Sequence, residues 1–471
     1  MFYAWLPALQ PLSINQGENM KNYDVIIIGG GPSAIITGLT AKKQNPQKSF
    51  LMVKEEEKGL VPCGIPYVFH DLDDVSKNMM GPAPFVAAGG EVIVDKVTEV
   101  GLQSKQLKTA DGKEFGYDKL VFATGSLPIV PKFIKGYDLQ NVEYIRKSYN
   151  YIAALKAKTD AAKEIVIIGG GFIGVEVAEQ LAKHKDKQIH LIEMREHCLS
   201  AAFSEKLTTL ADVSIRELGI DLRTGIKVTE ITGKEGKANG VLLSDGTALK
   251  ADLVINSIGY TPNTELAKSA GLAVNKNGAI KRDNYMRTAE KDVYAVGDCS
   301  ESIGFITGRE DNIMLASTAT AEARILGYNL FGINLIRNFS GTLSVFSTEI
   351  GGKVFASAGA IQQVAEEAGI DYVFGSFEDV DRHPEAISDA SKLWICLIVS
   401  PGTGTIIGGE VFGKKSAGEI INIIGLAIQK GVTVYELVSY QIGTHPLLTT
   451  APTKYVLIKA AEVAIAKLEN R

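Results

Sequence analysis

Two short apolar stretches, residues 25–28 (Val-Ile-Ile-Ile) and 165–168 (Ile-Val-Ile-Ile), are uninterrupted by any polar residue. A half-exposed strand would alternate, so unbroken β-branched runs predict strands buried on both faces of a parallel sheet. Each run passes through glycines into a stretch of helical periodicity, which predicts strand, tight turn and helix twice over. Farther along each half, alternating positions broken by Asp-Gly and Gly-Lys turns predict a small antiparallel meander. Past Gly341 the pattern changes. Strands are expected at 343–346 and 393–399, helices at 361–368 and 416–430, and a turn at Gly408-Gly409, giving an α+β interface domain.

The glycines carry the first chemistry. Gly29-Gly30-Gly31-Pro32-Ser33-Ala34 follows the first strand, and Gly169-Gly170-Gly171-Phe172-Ile173-Gly174 follows the second. Such a turn lets the backbone approach a pyrophosphate, packs helix on strand and aims helix N-terminal amides at the anion. One such loop is weak evidence; here the confirming context of strand before and helix after occurs twice. The halves also echo each other downstream. Ala110-Asp111-Gly112, Asp118, Thr124-Gly125 and Pro128 are spaced as Ser244-Asp245-Gly246, Asp252, Ile258-Gly259 and Pro262. The chain therefore reads as α/β, with two Rossmann-type dinucleotide-binding domains carrying meander insertions.

Length agrees, since 471 residues suggest about three domains. A net charge of −5 without basic clusters gives no reason to expect nucleic acid. No apolar run approaches the roughly 18 residues of a membrane span, so a soluble protein is expected. The cysteines Cys63, Cys198, Cys299 and Cys396 form no CxxC pair, which points away from a zinc site or a secreted disulfide framework and towards a reducing cytoplasm. Residues 1–19 lack the basic start of a signal peptide and are expected to be a dispensable extension ahead of Met20.

Glu193 stands at the end of the strand after the second glycine turn, where an acid takes the adenosine ribose hydroxyls of NADH and repels a 2′-phosphate. NADH is expected, while Arg195 nearby leaves room for NADPH. In the first half, counting puts Val53 at the matching position. The nearest carboxylates are Glu55 to Glu57, with Glu55 the candidate ribose ligand and a solvated loop the alternative.

Two further stretches carry a resemblance. Thr288 to Asp298, ending Tyr294-Ala295-Val296-Gly297-Asp298, resembles the segment by which flavin disulfide reductases close their FAD site, and Thr124-Gly125 resembles their second FAD contact. Val61-Pro62-Cys63-Gly64-Ile65-Pro66-Tyr67 resembles the redox-cysteine segment of the single-cysteine branch: coenzyme A-disulfide reductases, NADH oxidases and NADH peroxidases. From about Lys21 onward the chain is thus similar to FAD-dependent pyridine nucleotide-disulfide oxidoreductases. The resemblance implies an FAD domain in two parts (20–145 and 265–340), an NAD(P)H domain (146–264) and a dimerisation domain (341–471). It implies FAD bound by Gly29, Gly31, Pro32, Ser33, Ala34, Thr124, Gly125, Gly297 and Asp298, with Asp298 on the ribityl chain. NADH would lie on Gly169, Gly171, Phe172, Ile173, Gly174, Glu193 and Gly259.

Cys63, lacking a neighbouring cysteine, would cycle through a sulfenic acid, mixed disulfide or persulfide, and a lowered pKa is expected of a thiolate near the flavin and a helix N-terminus. Phe172 is either an aromatic gate over the flavin or a packing residue. His445, in Thr444-His445-Pro446, and Tyr440 are the candidate acid/base groups a partner subunit would supply in a homodimer, although Thr450 replaces the usual orienting glutamate. Lys42-Lys43 is what remains of a basic cluster for coenzyme A, and Gly59 stands where the family often has serine. The expected acceptor is a small disulfide, persulfide or peroxide, or dioxygen. A ferredoxin- or rubredoxin-reductase-like electron transferase and an NADH-responsive signalling flavoprotein are the competing readings.

Overall fold

The computed structural model describes residues 20–337 and 341–471, so the extension at 1–19 lies outside the described residues. The first apolar run becomes the strand Lys21–Ile28, completely enclosed at Val25, Ile26 and Ile27. It pairs in parallel with Phe50–Lys54 on one side and Glu114–Phe122 on the other. Glu91–Val94 extends this sheet beyond Phe50–Lys54, and Val293–Ala295 lies parallel to Glu114–Phe122. Segments nearly two hundred residues apart in sequence thereby share one sheet. Val97–Gly101 and Gln106–Thr109 form the expected meander on Glu114–Phe122.

The second run, Glu164–Ile168, sits inside a five-stranded parallel sheet with Val142–Tyr144, Leu253–Asn256, Gln188–Ile192 and Asp221–Arg223. Its meander comprises Val228–Lys234, Lys237–Leu243 and Ala248–Lys250. Asp-Gly turns open both meanders' last hairpins, with φ of +80° at Gly112 and +87° at Gly246, where glycine is favoured. The echo segments meet in space: Ser126–Pro128 pairs antiparallel with Tyr260–Pro262, bringing the two repeats together as a ribbon.

The C-terminal part is a five-stranded antiparallel sheet, Val345–Ile350, Lys353–Gly359, Ile406–Gly413, Lys392–Val399 and Val373–Val380. The helices Ala417–Lys430 and Val456–Glu469 contribute Ile421, Ile424, Ile428, Leu457, Ala460 and Ala464 to its core. Gly408-Gly409 is not the expected turn but the middle of the strand Ile406–Gly413. A side chain on Gly408 would strike the carbonyl of Ala360, and one on Gly409 would stand 3.0 Å from Ile424. Close approach, not chain reversal, explains the pair.

This sheet docks on the second nucleotide domain through polar ties. Thr348 Oγ1 donates to Glu176 (3.0 Å), Gly351 N to Glu179 (3.0 Å), and Ser204 N to the buried Glu410 (2.7 Å).

Candidate functional site

The two glycine turns are built alike. Gly29 and Gly169 take φ of +126° and +108°. A Cβ on Gly29 would run into the carbonyl of Ala123, and one on Gly169 would lie 2.8 Å from that of Ser257. Gly31 and Gly171 face open space. The helices they begin, Pro32–Gln44 and Phe172–Ala182, have neither side-chain caps nor acids in their first turns. Free amides at the positive end of a helix suit a pyrophosphate, so both cradles fit a dinucleotide. Gly174 packs so tightly under Gly169 that a Cβ would strike its carbonyl, Ile173 is half-buried, and Gly259 takes φ of +123°.

The remaining candidates of the first site converge on its helix. Ala34 is fully buried, and Ser33 Oγ lies 2.7 Å from where a Gly297 Cβ would be. Thr124 Oγ1 donates to Asn263 O (2.6 Å), while Gly125 O accepts from Asn263 N (2.9 Å). Asp298 Oδ2 accepts from Lys147 Nζ (2.7 Å) and Ser126 Oγ (2.7 Å), and Lys147 also reaches Ser126 (2.8 Å). A carboxylate held in place beside the cradle fits the hydroxyl-bearing ribityl chain of an FAD.

In the second site Glu193 is buried. Its Oε2 accepts from Gly170 N (2.6 Å) and its Oε1 from Arg195 N (2.8 Å), which locks the carboxylate beside the glycine turn. The first site departs from this. Ile28 pairs with Val53 as Ile168 pairs with Ile192, so the residue matching Glu193 is Lys54 and not Val53. Counting failed because the first half is one residue longer between paired strand ends. Glu55 is exposed and turned to Lys96 at 3.3 Å.

Cys63 lies in the 3-10 turn Pro62–Gly64, followed by a second such turn, Pro66–Phe69, and not at the start of an α-helix. All four cysteines are free thiols, and Cys63 alone is exposed. The expected fall in its pKa is reversed. The surrounding protein withdraws water from the sulfur and pushes the thiol up, Glu176 and Asp298 act in the same direction, and Lys147 opposes them. Burial raises the other thiols too, that of Cys396 to about 12.

Glu176, Lys147 and Ser126 were not singled out in the sequence. Burial pushes the Glu176 carboxyl up to about 7, with the Thr348 hydroxyl pulling the other way. Only its place four residues after Phe172, on the same helix face, could have flagged it. Lys147 carries no local signal at all.

Phe172 stacks on Phe346 (5.4 Å between centroids, 22°) and meets Phe203 edge-on at 5.8 Å. These contacts are those of the packing alternative. Tyr440 and His445 are exposed, and no described hydrogen bond joins either to Cys63. His445 Nδ1 accepts from Leu447 N (3.2 Å), within a segment that also exposes Ile442, Leu447 and Leu448. Lys42 is buried and donates to Pro46 O (2.8 Å) and Lys48 O (2.6 Å), so it ties off its own helix and cannot reach out to coenzyme A.

The geometry defines an FAD- and nicotinamide-dependent oxidoreductase class. Residues 23–323 match the family model for pyridine nucleotide-disulphide oxidoreductase, and residues 352–456 match its dimerisation domain. The chain belongs to this family, and it is a flavoprotein oxidoreductase using NAD(P)H. It is 30% identical over 458 residues to an NADH oxidase of Methanocaldococcus jannaschii, covering 95% of this chain and 99% of that one. It is also 30% identical to an NAD(P)H coenzyme A polysulfide/persulfide reductase of Pyrococcus horikoshii, over 84% of this chain and 89% of the relative. A NAD-dependent persulfide reductase from A. fulgidus has a similar structure, with TM-score 0.88, 29% identity and coverage of 95% and 84% of the two chains. Among the described residues no helix is long and apolar enough to cross a membrane.

Proposed function

We propose that this protein passes electrons from NADH through FAD and Cys63 to a small persulfide or disulfide. The observation that carries the reading is Cys63 itself: one exposed thiol, with no second cysteine beside it, set among Glu176, Lys147 and Asp298. When bound, FAD supplies the change from hydride acceptor to thiol reductant. The protein's residues do the rest. Gly169, Gly171, Gly174 and Gly259 shape the NADH cradle, and Glu193 favours a free 2′-hydroxyl. Asp298, fixed by Lys147 and Ser126, would hold the ribityl hydroxyls of the FAD.

The Cys63 thiolate attacks the acceptor's sulfur–sulfur bond, forming a mixed disulfide and releasing the other sulfur as thiolate or hydrosulfide. The electron pair from NADH then cleaves the mixed disulfide, returning Cys63 as thiolate and freeing the second thiol. Two protons complete the products, one of them from solvent and one from NADH. Glu176, with its pKa near neutrality, is placed to exchange protons with solvent near the sulfur.

The exposed, apolar 440–448 segment and the match to a dimerisation domain support a homodimer in which His445 or Tyr440 comes from the partner. Four free thiols suit a reducing cytoplasm. The likeness to the NADH oxidase of M. jannaschii supports a second reading, direct reduction of dioxygen. Steady-state NADH oxidation is to be measured against coenzyme A disulfide, coenzyme A persulfide, polysulfide, peroxide and dioxygen. Fastest turnover with a sulfur acceptor supports the proposal; turnover with dioxygen alone overturns it.

A further inference from the structure

The internal repeat exposes an inversion of charge. In the second half the strand-end residue is Glu193, whose Cβ lies 3.0 Å from where a side chain on Gly170 would begin. In the first half Lys54 occupies the same place. Its Cβ, Cδ and Cε stand 2.8, 3.2 and 3.5 Å from the corresponding point above Gly30. The backbone agrees: Gly29 N donates to Val53 O and Gly169 N to Ile192 O, each at 2.8 Å. Likewise Lys54 O accepts from Asp95 N at 2.9 Å and Glu193 O accepts from Ile226 N at 3.2 Å. Two equivalent backbones thus present opposite charges to their ligands.

Lys54 is 5% exposed, and its stem is laid across the phosphate-binding turn. Its ammonium donates to Glu57 O at 3.0 Å. An ammonium has three donors and no acceptor, so this bond leaves two N–H groups to place. Burying a lysine is unfavourable unless its donors are satisfied. The adenosine ribose of a dinucleotide seated on Gly29 to Gly31 brings two hydroxyl oxygens to this end of the strand, by the geometry that brings the NADH ribose to Glu193. The carboxylate can only accept from such hydroxyls, whereas the ammonium can only donate to them.

We infer that Lys54, not an acidic residue, recognises the adenosine ribose of FAD, by donating hydrogen bonds from its ammonium to the ribose hydroxyl oxygens. The site therefore reads the hydroxyl as an acceptor, and Glu55 takes no part. The assignment does not depend on which acceptor the enzyme uses.

The test is release of FAD from full-length holoprotein on dilution, followed by flavin fluorescence. Wild type and Lys54→Met are compared, each carrying either FAD or an FAD analogue without the adenosine 2′-hydroxyl. A hydrogen bond to a charged group is strong enough that wild type should bind the analogue about tenfold more weakly than FAD. Lys54→Met should bind FAD about tenfold more weakly than wild type, and should distinguish the two ligands by less than about threefold. Equal sensitivity of both proteins to the missing hydroxyl would overturn the inference, as would unchanged FAD binding in Lys54→Met. An ammonium gripping the pyrophosphate instead would give that first, contrary outcome. Should Lys54→Met not fold, wild type decides: indifference to the missing hydroxyl refutes the assignment, and a tenfold loss supports it.

Discussion

Replacing Glu176 with glutamine should stabilise the protein by an amount that grows as pH rises from about 4.5 to 8 and vanishes in more acid solution. The carboxyl is raised from its ordinary 4.5 to about 7, chiefly by burial on the helix Phe172–Ala182 against the C-terminal sheet. A carboxyl that holds its proton more tightly when folded favours folding most below its unfolded pKa. That contribution is lost as pH rises through the folded value. The difference of about 2.5 pH units corresponds to about 3 kcal/mol between the two limits. Glutamine keeps an oxygen for the Thr348 hydroxyl (3.0 Å) but has nothing to ionise. The variant should therefore gain about 1 kcal/mol over wild type at pH 5, about 2 at pH 6 and about 3 at pH 8. Denaturant unfolding of both proteins at these pH values measures this directly. Stability curves that run parallel from pH 5 to pH 8 would refute the claim that Glu176 is forced to ionise in a poorly hydrated site.

Glu193→Ala should raise the KM for NADH about tenfold, because two backbone amides and a ribose hydroxyl lose their acceptor, and should narrow the preference over NADPH. Initial rates with both nucleotides check this. Lys42→Met should destabilise the protein by about 1–2 kcal/mol through loss of its bonds to Pro46 and Lys48, yet leave the KM for coenzyme A disulfide unchanged. Gly408→Ala should destabilise by at least about 2 kcal/mol, read from the unfolding midpoint, since the new methyl meets the Ala360 carbonyl within a packed sheet.

The parallel strands, both glycine turns and both meanders were legible from local signals, because each depends on neighbouring residues: an unbroken apolar run, a glycine of positive φ, an Asp-Gly turn. The Gly408-Gly409 pair misled because its reason is non-local, namely the approach of Ala360 and Ile424. The ribose position was misplaced for a related cause. Strand pairing, not counting, aligns the repeats, and the extra residue before Val53 is invisible until the sheet is formed. The environment of Cys63 was harder still. Its segment was recognisable, but the direction of its pKa depends on Glu176, Lys147 and Asp298, which lie between about 84 and 235 residues away in sequence. Lys42 shows the opposite error, a cation that looked free and is consumed by its own helix end.

The central claim is that Cys63 stores an electron pair in series with the flavin. Anaerobic titration with NADH, after treatment with a small disulfide and removal of the excess, tests it most directly. If the claim holds, the wild type takes up twice as much NADH per flavin as Cys63→Ser before the yellow absorbance is bleached. Equal uptake by the two proteins would contradict it.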